Sequence, residues 1–153
     1  MEMQKKKLMF IITAIVLAVD YLIKFLLTNK NFIVIKNFFS LKYTENYGAA
    51  WSIMNNQRLL LIMISLAFLI CLFKYSFKFK NNNRNKIAFG LVFGGLLGNL
   101  LDRIIYGYVR DFISLQFGSY YYPIFNIADI AIVLGIILVV IAIIKKEDEN
   151  AKD

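Results

Sequence analysis

Two aspartates, Asp111 and Asp129, flank one short connection between two apolar stretches of the chain. If those stretches form antiparallel helices, both carboxyl groups lie at the same depth. Two carboxyl groups at close range cannot both ionise, so one pKa rises and the pair shares a proton at neutral pH. The ionised member can take a proton from an attacking water, while the protonated member donates to a carbonyl oxygen and then to a leaving amine. The pair therefore predicts aspartyl peptidase chemistry, with no metal or cofactor.

Each aspartate also has an ordinary structural interpretation. Asp111 can be an exposed loop carboxylate that pairs with its neighbour Arg110. Asp129 follows Asn126 by three residues, so Asn126 can cap a helix whose first turn carries Asp129 as the acid that complements the helix dipole. Position alone favours the catalytic interpretation, and the structural ones stay open.

The residue inventory excludes other hydrolytic chemistries. The chain has no histidine and one cysteine, Cys71. Zinc sites built on His ligands, Ser-His-Asp triads and Cys-His pairs are therefore excluded. One cysteine cannot form an internal disulfide, and we expect Cys71 to be a small buried or lipid-facing residue.

Four apolar stretches are long enough to cross a bilayer, which takes about 20 helical residues. Apolar residues make up 59% of the 153 residues, above the roughly 45–50% of soluble domains. We predict a membrane α-protein forming one polytopic domain over residues 1–153. Its spans lie at about 8–27, 59–75, 87–106 and 127–144. The first follows a lysine cluster but lacks a signal-peptide cleavage site, so we expect it to be retained.

The distribution of basic residues predicts the orientation. The segments before span one, between spans two and three, and after span four carry eleven Lys and Arg residues, whereas segments 28–58 and 107–126 carry five. Basic loops stay in the cytoplasm, so both termini are predicted to be cytoplasmic and the other two segments to face outward. The net charge of +8 is scattered in short clusters, so we expect no nucleic-acid partner.

The two outward segments are more than linkers. Residues 41–44 alternate apolar and polar side chains, which predicts a strand in a small extracytoplasmic β segment on the outer leaflet. The second segment is rich in aromatic residues, which favour the headgroup level. We therefore expect both to lie on the membrane surface.

Ionisable residues inside spans are costly and indicate function. Asp20 and Lys24 share a face of span one, either as a local ion pair with Lys24 snorkelling to the surface or as part of a site. Span three carries small residues at every fourth position, which allow another helix to pack closely. A polar face follows, whose side chains either bond to one another through an Asp-Arg pair or bind the substrate backbone. These residues are Gly90, Gly94 and Gly98, followed by Asn99, Asp102 and Arg103.

Five blocks in chain order resemble the lipoprotein signal peptidases, or signal peptidase II family, and together they span the chain. They are Asp20-Tyr-Leu-Ile-Lys24, Glu45-Asn-Tyr-Gly-Ala-Ala-Trp-Ser52, Gly94-Gly-Leu-Leu-Gly-Asn-Leu-Leu-Asp-Arg103, Val109-Arg-Asp-Phe-Ile113 and Pro123-Ile-Phe-Asn-Ile-Ala-Asp129.

The resemblance implies a bacterial cytoplasmic-membrane enzyme with Asp111 and Asp129 as its catalytic pair near the outer face. It implies that the remaining motif residues shape the site, bind substrate or order the pair. The implied substrate is a prolipoprotein that carries diacylglyceryl on a cysteine and is cut just before it. We expect membrane lipid as a partner, no metal or cofactor, and a monomer. The site-shaping residues are Asp20, Lys24, Asn46, Gly48, Asn99, Asp102, Arg103 and Asn126.

Three positions depart from the family pattern. Glu45 stands where Arg is frequent, Arg110 where an apolar residue is usual, and Ile130 where a small hydroxyl residue is common. None removes a catalytic group. If Arg110 pointed toward Asp111, it would favour the ionised form and make Asp111 the base.

Three other functions compete with this interpretation. A proton-coupled transporter or channel would also use intramembrane charges, but the motif blocks show no internal repeat. A serine-lysine peptidase would need a pair such as Ser52 with Lys24 or Lys42, and no motif links them. A scaffold would tolerate asparagine at both aspartates.

Overall fold

The structure is a computed structural model that describes residues 6–48 and 54–147. It contains four helices: α1 (Lys7–Leu27), α2 (Arg58–Ser76), α3 (Asn83–Ile105) and α4 (Ile127–Ile144). All four are long and apolar enough to cross a membrane. Each helix lies within four residues of a predicted span at both ends. The largest difference is at the start of α3, where Asn82 caps the helix by accepting a hydrogen bond from Asn85 N at 2.8 Å. Cys71 is exposed on α2, which agrees with a lipid-facing position.

Helix α3 is the centre of the bundle. More than half of its apolar span is buried (56%), against 11% for α1 and α2 and 22% for α4. Glycine makes this possible because a Cβ at Gly90 would lie 2.7 Å from Ile12 Cβ, and one at Gly94 would lie 2.5 Å from Val16 Cβ. The predicted small-residue stripe is thus the surface on which α1 packs. Gly95, outside that stripe, gives α4 the same close approach.

A four-stranded antiparallel sheet covers one end of the bundle. Its strands are β1 (Asn31–Ile35), β2 (Phe39–Asn46), β3 (Val109–Phe117) and β4 (Tyr120–Tyr121), in the order β1-β2-β3-β4. The strand predicted at 41–44 lies within β2. The long strand β3 was not predicted, and it joins the two segments between spans into one sheet. Pairing of Thr44 with Asp111 and of Asn46 with Val109 brings Asn46 next to Asp111.

The other end of the bundle is closed by the turn after α4. Glu147 accepts a hydrogen bond from Asn82 Nδ2 at 2.9 Å and pairs with Arg84. These bonds lower the pKa of Glu147 to about 2. The contacts attach the end of α4 to the start of α3, on which α4 packs over its length.

Candidate active site

Asp129 lies in the first turn of α4, where Asn126 caps the helix. The Asn126 side chain accepts a hydrogen bond from Asp129 N at 3.0 Å, and Asp129 Oδ2 accepts one from Asn126 N at 3.1 Å. This reciprocal capping box satisfies two backbone N–H groups that a helix start leaves free. The capping role predicted for Asn126 is confirmed. It leaves Asp129 Oδ1 directed away from the helix, toward Asn99 of α3, whose Nδ2 donates to it at 2.8 Å.

Asp111 lies on β3 and is 2% exposed. Its carboxyl group accepts hydrogen bonds from Asn46 Nδ2 at 2.9 Å and from Asn126 Nδ2 at 2.6 Å. Asn126 Nδ2 also donates to Asn99 Oδ1 at 3.0 Å. A continuous chain of amides therefore joins the two aspartates.

The surroundings of Asp111 favour its protonated form. Burial, followed by the negative charge of Asp129, raises the pKa of Asp111 to about 7, although the bonds from Asn46 and Asn126 act in the opposite direction. Asp111 thus carries a proton up to about neutral pH. Both carboxyl groups accept a hydrogen bond at each oxygen, Asp111 from two side chains and Asp129 from the Asn99 side chain and the Asn126 backbone N–H.

A buried network of four charges lies beside the aspartates. Lys24 Nζ lies 2.8 Å from Asp20 Oδ2 and 3.2 Å from Asp102 Oδ2. Asp102 also binds Arg110, with Nη2 to Oδ1 at 2.7 Å and the backbone N–H to Oδ2 at 3.0 Å. Two acids and two bases balance, and all four residues are at most 4% exposed. Balance of this kind is required where charges leave water.

This charged network holds the elements that carry the aspartates. Asp20 Oδ1 accepts a hydrogen bond from Ala128 N at 2.9 Å, so α1 fixes the start of α4. Lys24 Nζ donates to Asn99 Oδ1 at 3.1 Å. Since that oxygen accepts, the Asn99 amide must turn its N–H groups toward Asp129. Lys24 therefore sets the orientation of a group that touches the site.

Arg103 connects α3 to the chain after β2. Its Nη2 donates to the Gly48 carbonyl at 2.8 Å, and its Nη1 lies 3.3 Å from the Asn99 carbonyl. Gly48 N in turn donates to Asn46 Oδ1 at 2.9 Å. These contacts fix the Asn46 amide with its N–H groups toward Asp111.

Both aspartates line one cavity of about 350 Å³ between β3, α4 and the segment that joins them. One wall is polar and includes Asn46, Asn99 and Arg103. The opposite walls are apolar, from α4 and the preceding segment. The apolar lining residues are Val109, Pro123, Ile124, Phe125, Ile132 and Val133, with Tyr122 beside them.

The structure decides against three contacts that the sequence left open as alternatives. Asp111 is neither exposed nor paired with Arg110, because neighbouring side chains on a strand point to opposite faces and Arg110 binds Asp102. Asp102 and Arg103 form no ion pair within the described residues, because successive residues of a helix point in different directions. Lys24 pairs with Asp20 but does not snorkel, since it is 1% exposed.

Two parts of this site were not predicted from the sequence. Arg110 was considered as a partner of Asp111 and as a departure from the family pattern, yet it pairs with Asp102 and completes the charge balance. Its guanidinium lies 4.4 Å from the ring centre of Tyr106. The apolar wall was also missed. Ile132 and Val133 follow Asp129 by three and four residues, so helical spacing was a usable signal for this wall.

Comparison with known proteins identifies the family. The model of the signal peptidase (SPase) II family matches residues 12–145. The chain belongs to the signal peptidase II family. The lipoprotein signal peptidase of Clostridium acetobutylicum is 43% identical over 119 residues, 76% of this chain and 77% of that protein. The one from Staphylococcus aureus is 36% identical over 155 residues, with 94% of each chain covered. A solved structure described as a bacterial membrane enzyme, at 2.3 Å resolution by the in meso method, superposes with a TM-score of 0.80 at 32% identity, covering 95% of this chain and 91% of that one.

Membership in the signal peptidase II family makes this chain a membrane peptidase that cleaves the signal peptides of prolipoproteins. The resemblance noted from the five sequence blocks is thereby confirmed. Within the described residues, no group of three or more His, Cys, Asp or Glu side chains lies close enough to hold a metal ion.

Proposed function

We propose that this chain is an aspartyl endopeptidase that cuts diacylglyceryl-modified prolipoproteins just before the modified cysteine, with Asp111 and Asp129 as its catalytic pair. The observation that carries the proposal is the shared cavity. Two acids line it, joined through asparagine amides, and the pKa of one of them, Asp111, is raised to about 7.

The geometry supports a division of labour. Ionised Asp129 takes a proton from a water molecule as its oxygen attacks the scissile carbonyl carbon, and Asp111 donates its proton to the carbonyl oxygen. Asp129 then gives its new proton to the leaving nitrogen as the C–N bond breaks. Asp111 recovers a proton from the hydroxyl group that becomes part of the new carboxyl group. Both acids return to their starting states, so the cycle balances.

The walls of the cavity suit a substrate that is part peptide and part lipid. An unwound backbone leaves N–H and C=O groups that lipid cannot satisfy, and the amides of Asn46 and Asn99 are placed to bind them. The apolar surface of Ile132 and Val133 continues from Asp129 along the lipid-facing side of α4, where Val133 is 56% exposed. Acyl chains and the apolar residues before the cut would lie there.

The placement in the membrane is also part of the proposal. The excess of basic residues in three segments supports cytoplasmic termini and a site near the outer face. The exposed apolar side chains of the sheet, such as Phe32 and Ile33 on β1, support contact with the outer leaflet. We further propose that residues 1–153 act as one membrane domain and as a monomer, since α3 and α4 supply both walls of the site.

Cleavage of matched substrates in detergent tests the proposal. One prolipoprotein carries diacylglyceryl on its cysteine, and the other has the same sequence unmodified. Mass spectrometry of the products should show a single cut before the cysteine, in the modified substrate only. A cut at another bond, or equal cleavage of the unmodified protein, would contradict the proposed substrate.

A further inference from the structure

A second cavity, of about 230 Å³, lies on the sheet between β1, β2 and β3. Its polar lining includes Ser40 and Ser114, which are directly paired across β2 and β3. Ser114 is 8% exposed, and its hydroxyl group has no hydrogen-bond partner in the described part of the chain. The hydroxyl group is reached from the cavity, so it is available to bond a polar ligand there.

This cavity is separate from the candidate active site. Side chains alternate along β3, so Ser114 lies on the opposite face from Asp111, three residues away. Arg110 shares the face of Ser114 and contacts Asp102 near the end of α3. At the start of β3, this face of the sheet therefore contacts the end of α3. Ser114 is four residues farther along β3, so it lies away from that contact.

The surroundings of the cavity combine one positive charge with exposed apolar side chains. Lys36, in the turn between β1 and β2, lines the cavity and forms no ion pair with any described residue. Beside it lie Ile33, Ile35 and Tyr121, which are 78%, 52% and 65% exposed. A polar cavity that has one cation and is surrounded by apolar and aromatic side chains suits the boundary between lipid headgroups and acyl chains.

We propose that this cavity binds the phosphodiester headgroup of an anionic phospholipid. Lys36 would pair with the phosphate, and the hydroxyl groups of Ser40 and Ser114 would donate to its oxygens or bond a hydroxylated headgroup. The single cation matches the single charge of a phosphodiester. This binding goes beyond the proposed peptidase activity and uses none of its catalytic groups. It would fix the sheet to the leaflet at a point remote from the aspartates.

Native mass spectrometry of the purified full chain tests this site. The protein in nonionic detergent is titrated separately with dihexanoyl phosphatidylglycerol, dihexanoylglycerol and glycerol 3-phosphate. We expect one saturable phosphatidylglycerol to bind more tightly than the other two. The Ser40→Ala/Ser114→Ala variant should bind it at least about a hundredfold more weakly, from the loss of two hydrogen bonds to a charged group. Lys36→Gln should also weaken binding, whereas the matched control Lys30→Gln should not.

Three results would overturn the proposal. Equal binding of dihexanoylglycerol would show that phosphate is not recognised. Binding of glycerol 3-phosphate as tight as that of the lipid would show a free-phosphate site. Equal loss in Lys30→Gln and Lys36→Gln would show diffuse charge attraction. The Lys36 variant changes only an exposed turn, so the test stands even if the serine variant does not fold, and wild-type cleavage activity in each variant confirms an intact fold.

Discussion

Replacing Asp102 by asparagine is expected to destabilise the protein more than its small change in shape suggests. The substitution removes one negative charge from the buried group of two acids and two bases. Arg110 then has no counter-charge within this group, and Lys24 keeps only Asp20. The carboxyl group of Asp102 lies 2.7 Å from Arg110 Nη2 and 3.2 Å from Lys24 Nζ.

The magnitude follows from these distances. At an effective dielectric constant of about 20, each lost attraction amounts to about 5 kcal/mol before solvation is counted. Solvation offsets much of this, and removing one partner of a buried ion pair costs about 3–5 kcal/mol net. For a protein of this length, that is a fall in melting temperature of about 6–20 °C.

Thermal unfolding in detergent, followed by near-ultraviolet circular dichroism, measures this effect. Asp102→Asn is compared with Glu45→Gln, the same chemical change at an exposed acid, which should leave the melting temperature nearly unchanged. Adding Arg110→Gln to Asp102→Asn restores charge balance and should recover more than half of the loss. Charge balance would not explain the stability if Asp102→Asn melted at the native temperature, or if adding Arg110→Gln lowered the melting temperature further.

Three further predictions concern the site itself. Because the pKa of Asp111 is raised to about 7 and its proton is needed, kcat/KM should fall about tenfold per pH unit above that value; a profile flat to pH 9 would contradict this. Gly98→Ala should cost about 1–3 kcal/mol of stability, since the added Cβ would lie 2.7 Å from Asp20 Oδ2; unchanged thermal unfolding would refute the close packing. Asn99→Leu removes the donor to Asp129 and should lower kcat more than it changes KM in steady-state cleavage; an effect on KM alone would assign Asn99 to substrate binding.

The helices were predictable from sequence because lipid imposes one strong constraint on a chain that crosses it, and the hydropathy of the sequence reflects that constraint. Lipid leaves backbone groups without partners, so each span must be a continuous apolar helix. The last span was predicted at 127–144 and observed at Ile127–Ile144. The cap at Asn126 was predictable for a similar reason, since capping depends on residues three apart.

The sheet and the ion network were less predictable because both depend on contacts between distant segments. β3 pairs with β2 across about 70 residues of chain, and its sequence carries no clean alternation of apolar and polar residues. Two buried residues of β3, Arg110 and Asp111, are instead charged, and they bond to side chains of other elements. Arg110 finds Asp102 and not its neighbour Asp111, which only the strand geometry decides.

The most direct test of the central claim is single-turnover cleavage of a diacylglyceryl-modified prolipoprotein by Asp111→Asn and Asp129→Asn. Folding can be controlled for, because the raised pKa of Asp111 means that its ionisation destabilises the folded state as pH rises toward 7, and asparagine removes that cost. At pH 7.5, Asp111→Asn is expected to melt at or above the native temperature. Asp129→Asn is expected to melt lower, because asparagine keeps only one of the two acceptor oxygens that Asp129 uses, but to show the native near-ultraviolet spectrum at the assay temperature. Both variants should cleave at least about a thousandfold more slowly, as removal of a catalytic group does. Near-native cleavage by either variant would return that aspartate to a structural role and contradict the account.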